Sequence, residues 1–201
     1  TVDFLFYFLF KLIIQSTFIK NNSKVRFYKD VEYRVDKPDY AERAVTEALV
    51  NALIHRDYIV LGSEVHIDMY DDRLEISSPG GMFDGKAVQE HTIADIGSMR
   101  RNPVIADLFH RMKFMERRGS GLKKIISETE KLPGYNESLK PIFYSDGSSF
   151  RVILKNVNYG TTKVSDKVSD KVSDKVSDKL NEKEKCFFNV LMTLAKQHDF
   201  V

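Results

Sequence analysis

The sequence predicts an α+β protein, a two-layer sandwich of helices against a mixed, mostly antiparallel sheet. Three observations carry that expectation. The stretch EALVNALIHRDY, Glu47 to Tyr58, keeps strict helical spacing: Glu47, Asn51 and His55 share one stripe beside an apolar face of Val45, Ala48, Leu49, Ala52 and Leu53. Val65, Ile67 and Met69 alternate with Glu64, His66 and Asp68, turn at Asp71-Asp72 and resume the apolar face at Leu74 and Ile76, which is a hairpin with one wet side. A second hairpin leads from Ile142 and Tyr144 through Asp146-Gly147 into Phe150, Val152 and Leu154.

Composition bounds the class. With 201 residues, 42% apolar and 30% charged, the chain can build one substantial core plus an appendage and is too polar to live in a membrane. A net charge of +2 does not by itself argue for nucleic acid. A single cysteine, Cys186, excludes an internal disulfide framework and suits a reducing, cytoplasmic compartment. Phe4 to Ile14 is strongly apolar, but it falls short of the roughly 20 residues a spanning helix needs and is broken by Lys11, so no membrane is expected. The chain opens on Thr1 rather than methionine and reads as a piece of a longer protein.

In order along the chain, residues 1–22 form an apolar helix, and a strand follows in which Val25, Phe27, Val31, Tyr33 and Val35 share one face. Asp36 to Asp39 breaks the chain and offers Asp39 as N-cap of the Glu47 helix. After Ile76, SSPGGMFDGK is a glycine-rich loop, and the region through Gly97 is irregular or only partly helical. Asn102-Pro103 has the pattern of an N-cap with proline at the first helical position, ahead of a stripe of Val104, Ile105, Leu108, Phe109 and Met112. ERRGSGLKKII opens another helix, with Leu122, Ile125 and Ile126 buried. The main domain is thus expected over 23–158. VSDK, repeated four times between Val164 and Lys179, makes 159–179 a solvated tether or a marginal helix. Residues 180–201 regain amphipathic character as the first helix of a further domain.

Three features could carry chemistry: the Glu47/Asn51/His55 stripe, the loop at Gly80-Gly81, and Gly119-Ser120-Gly121 at a helix start. A helix N-terminus preceded by glycines presents unpaired N–H groups and the positive dipole end, which suit phosphate. Each feature alone is equally an amphipathic helix or a tight turn. GGMFDGK, Gly80 to Lys86, matches the spacing of a phosphate-binding loop but lacks its final Ser/Thr, replaced by Ala87. From Arg100 to Lys124, eight basic residues face two acidic ones. Most are expected to be solvated, with Arg100 and Arg101 the better candidates for a ligand contact.

Taken together, EALVNALIHRDY and RNPVIADLFHRMKFMERRGSGLKKI resemble the C-terminal domain of bacterial transcriptional regulators labelled RecG-like ATP-dependent DNA helicases. That domain is a divergent branch of the GHKL (gyrase, histidine kinase, MutL) ATPase fold, also called the Bergerat fold. The resemblance implies Glu47 as general base, Asn51 as the Mg²⁺ ligand, and phosphate contacts from Gly119, Ser120, Gly121 and Leu122. It adds Ser77, Gly80 and Gly81 as further nucleotide-binding positions, to which the basic segment contributes Arg101. Ser77 stands where the family places an adenine-binding aspartate, and a neutral acceptor is weaker by about 1 kcal/mol.

The implied function is an ATP-like nucleotide-binding regulatory domain of a bacterial transcriptional regulator, with or without weak Mg-dependent ATPase activity, and not a helicase. Its implied cofactors are ATP and Mg. The implied partners are the nucleotide, a second copy in a homo-oligomer, and DNA through attached domains, with 180–201 the start of a truncated winged-helix-like one. Two alternatives stay open. The domain could be a degenerate dimerisation or scaffold module without nucleotide, or it could bind DNA backbone directly through the Arg100 to Lys124 segment.

Overall fold

The computed structural model describes residues 2–29, 32–97, 99–115 and 120–160, with side chains from Tyr7 onward. The VSDK tether and the C-terminal helix expected beyond it lie outside the described residues. The chain divides into two units, Phe8–Gly160 and Thr1–Tyr7 with Thr161–Val201. Only the first is described in its entirety apart from the short gaps.

Helix α1 (Val2–Asn22) opens the chain and buries Phe8, Leu9, Leu12 and Ile19. The strand expected next is instead a hairpin, β1 (Val25–Lys29) and β2 (Arg34–Pro38), paired antiparallel with Phe27 opposite Asp36 and Tyr28 opposite Val35. Folding back reverses the parity, so Val35 lies on the face opposite Val25 and Phe27. A period of two looks the same in one long strand and in two short ones. Asp39 does not cap the next helix. Its carboxylate is buried and accepts hydrogen bonds from Lys24 N (2.9 Å) and Asn158 Nδ2 (2.8 Å), tying β2 to the end of the domain.

Helix α2 (Glu42–His55) is the centre of the core, with Ala44, Ala48, Leu49, Val50 and Ile54 fully buried. It packs against strand β4 on one side and against helices α3 and α4 on the other. The hairpin β3 (His66–Met69) and β4 (Arg73–Pro79) has the expected register, Ile67 opposite Ile76 and Met69 opposite Leu74. After a loop with one 3₁₀ turn at Val88–Glu90 come α3 (Pro103–Arg111) and α4 (Gly121–Glu130). Ile105, Ala106, Phe109, Ile125 and Thr129 form their buried faces, whereas Val104 is exposed.

Strands β5 (Ile142–Ser145) and β6 (Ser149–Lys155) close the fold. Asp146 closes their turn by accepting hydrogen bonds from Ser148 and Ser149, which hold its carboxyl down at about 2. Phe143 and Ser145 point inward while Ile142 and Tyr144 are exposed. The order is β3-β4-β6-β5, every described pair antiparallel. The result is an α+β sandwich, with the sheet's inner face (Leu74, Ile76, Val152, Leu154) covered by helices. Among the described residues, no helix is long and apolar enough to cross a membrane.

Candidate functional site

A cleft of about 390 Å³ opens between α2, the end of β4 and the start of α4. Helical spacing aims Glu47, Asn51 and His55 of α2 into it. Gly121, the first residue of α4, crosses directly over two of them. A Cβ built on Gly121 would lie 2.6 Å from Asn51 Nδ2 and 3.1 Å from Glu47 Oε1, so a side chain here would force the Asn51 amide to move. Ser120 occupies the N-cap position without turning its side chain back onto the helix, and Ser120, Gly121 and Leu122 line the cleft at the positive end of the helix dipole. Glu47 is buried, and Lys124 Nζ, one turn into α4, lies 3.7 Å from its Oε2.

Arg101 lines the opposite rim, and Asn102 follows it in the chain. Arg101 Nη2 donates to Gly81 O (2.8 Å), and its Nη1 lies 3.6 Å from Asp57 Oδ2. Arg101 fills the space a Cβ of Gly80 would take, and Gly80 sits at φ +105°, where a side chain is strained. Asn102, expected to cap its own helix, instead donates from Nδ2 to Ile54 O (2.8 Å) and Arg56 O (2.7 Å) and so caps the C-terminus of α2. Between the rims the wall is apolar and rich in methionine: Ile76, Met82, Phe83, Met99, Met115 and Phe150.

His55 is pushed down from 6.5 to about 4, first by the protein packed around it and then by the guanidiniums of Arg101 and Arg100. Its ring is still open to the cleft, so the crowding is one-sided, but all three causes act in the same direction. The histidine is neutral at physiological pH.

Of the positions expected from sequence, Glu47, Asn51, Gly80, Gly81, Arg101, Ser120, Gly121 and Leu122 line this one cleft. Gly119 lies outside the described residues. Ser77 is a correction. It faces the outer side of the sheet and accepts a hydrogen bond from Arg151 Nε at 3.1 Å, while Ser78 lines the cleft and donates from Oγ to Ala52 O at 2.8 Å. Strand alternation makes the choice: Leu74 and Ile76 face in, so Ser78 does too. That parity was available in the sequence. Lys124 and the methionine wall carried no distinguishing signal there.

Gly80–Lys86, which has only the spacing of a phosphate-binding loop, leads into a single 3₁₀ turn rather than the helix such a loop requires. Among the described residues, the basic side chains between Arg100 and Lys124 point to different places. Arg111 pairs with Asp107 (2.9 Å), Lys123 Nζ donates to Ala94 O (3.1 Å), and Arg101 and Lys124 turn into the cleft walls.

Comparison with curated proteins returns no match. In fold the chain is similar to the crystal structure of the DIP2311 protein from Corynebacterium diphtheriae, with a TM-score of 0.63 at 22% identity, over 74% of this chain and 29% of that one. The chain therefore spans less than a third of that protein's length. Residues 62–154 match the family described as "Putative ATP-dependent DNA helicase recG C-terminal", a segment that begins after α2 and holds the glycine turn, Arg101 and the start of α4. Over these residues the chain is similar to that ATPase-like family.

Proposed function

We propose that the cleft binds a nucleoside triphosphate, ATP by resemblance, and that this domain serves as the ligand-responsive part of a bacterial transcriptional regulator. One observation carries the reading: the N-terminus of α4 at Gly121 is stacked on Glu47 and Asn51, so a dipole end, an amide and a carboxylate converge on one point. The phosphate tail would lie on the N–H groups of Ser120, Gly121 and Leu122, with the base against the methionine wall and Ser78.

The oxygen donors there suit magnesium, a hard cation usually held by one or two protein oxygens plus phosphate and water. Among the described residues there is no cluster of three or more His, Cys, Asp or Glu that would suit a metal held by protein alone. Asn51 Oδ1 would hold the ion, which when bound neutralises charge on the phosphate oxygens. Glu47, one helical turn away, would orient a water in line with the terminal phosphate and accept its proton. Buried at the cleft floor, its carboxylate is held in one place for that task.

In this reading 23–158 is the nucleotide-binding unit, 159–179 a tether and 180–201 the start of a winged-helix-like DNA-binding part. Calorimetry with Mg·ATP tests it. The wild-type chain is expected to bind, Asn51→Ala to lose at least tenfold in affinity when magnesium is present, and Glu47→Ala to bind without turnover. No heat at millimolar nucleotide would sink the reading. A second reading, a module for self-association, is favoured by α1, whose Phe10, Ile14 and Phe18 are about half exposed at helical spacing.

A further inference from the structure

Lys123 and Lys124 are adjacent in sequence, and the structure gives them different roles. Lys123 lies on the exposed side of α4 and reaches Ala94 O. Lys124 is turned inward: its side chain is 15% exposed, that of Glu47 is 8% exposed, and the two charges stand 3.7 Å apart. The same helix places Gly121 over Glu47 and Asn51, so this pair borders the point at which a phosphate tail would dock. A buried carboxylate there repels a polyanion, and the repulsion is strong because little water separates the charges. A cation beside the carboxylate cancels that field without giving up the carboxylate's capacity to orient water.

We propose that Lys124 is the internal counter-ion of the site: it offsets the buried charge of Glu47 and so permits an anionic ligand of the nucleoside triphosphate class to enter. The inference rests on the nucleotide-binding reading and deepens it. It assigns Lys124 a positioning role exerted through Glu47 and distinguishes it from a lysine that grips phosphate itself. The two roles differ in what happens when both charges are removed. A counter-ion becomes dispensable once Glu47 is neutral, whereas a phosphate-gripping lysine does not.

The test is a double-mutant cycle on the full chain, with Mg·ATP affinity measured by calorimetry and thermal unfolding followed alongside. Lys124→Met is expected to weaken binding at least tenfold and Lys124→Arg to hold it within about threefold, since a guanidinium keeps the charge. Lys124→Met combined with Glu47→Gln is expected to return to within about threefold of wild type, and its melting temperature to recover toward wild type as well. A double variant as weak as Lys124→Met alone overturns the proposal in favour of direct phosphate contact, as does a Lys124→Met protein that binds like wild type. Should the wild-type chain bind no nucleotide, the functional reading fails. The unfolding cycle then still decides the charge coupling: a recovered double variant supports it, and additive losses reject it.

Discussion

At the scale of single residues, the cleft is held together by close approaches. Gly121→Ala would set a methyl group 2.6 Å from Asn51 Nδ2, but that amide is the tip of a side chain and can swing away. Overpacking costs about 1–3 kcal/mol when nothing yields, and replacing glycine in a helix returns about 1 kcal/mol. The two nearly cancel here, so the melting temperature is expected to move little. Mg·ATP affinity is expected to fall by about tenfold, because Asn51 is displaced from the position in which it would hold the proposed ion. His55 supplies a separate, pH-dependent signature. Its folded value of about 4 lies below the 6.5 of the unfolded chain, so the unfolded state takes up the proton first. The stability this represents is whole above pH 6.5 and is lost as the pH falls toward 4. Melting curves across that window should decline less steeply for His55→Gln than for wild type. Equal slopes would show that the surroundings of His55 do not disfavour its charged form.

Elements meet at joints that sequence patterns describe only from one side. Asn102 has the local pattern of a helix cap, but its amide reaches across to the last carbonyls of α2, Ile54 O and Arg56 O, and binds the helix carrying Glu47 to the start of α3. Asn102→Ala removes two hydrogen bonds at a part-buried helix end and is expected to cost about 1–3 kcal/mol, seen as a melting temperature lower by several degrees. Asn102→Asp separates geometry from chemistry, since a carboxylate cannot donate to those carbonyls and should be at least as damaging. The β1–β2 hairpin and the Ile142–Ser145 strand teach a related lesson. Alternation was legible in both, but the face presented to the core was not, because cross-strand pairing sets parity and the partner strand lies elsewhere in the chain.

At the scale of the whole molecule, the open question of partners turns on α1. Phe10, Ile14 and Phe18 leave about half their surface in water while Phe8, Leu9 and Leu12 are buried, so the helix is apolar on both sides. Sedimentation of the full chain is expected to show concentration-dependent association, and Phe10→Lys with Phe18→Lys to abolish it without loss of fold. A wild-type chain that remains monomeric at high concentration would remove the self-association reading and leave nucleotide binding untouched.

The sequence by itself determined the class of the fold, the register of the β3–β4 hairpin, and the helix bearing Glu47, Asn51 and His55, because these depend on periodicity within one segment. It also marked both glycine turns. Only the tertiary structure decided that Gly121 rests on Glu47 and Asn51 and that Lys124 turns inward while Lys123 does not. Those facts arise where segments distant in the chain are packed together. Helical and strand spacing say which side chains share a face, and packing alone says what that face meets.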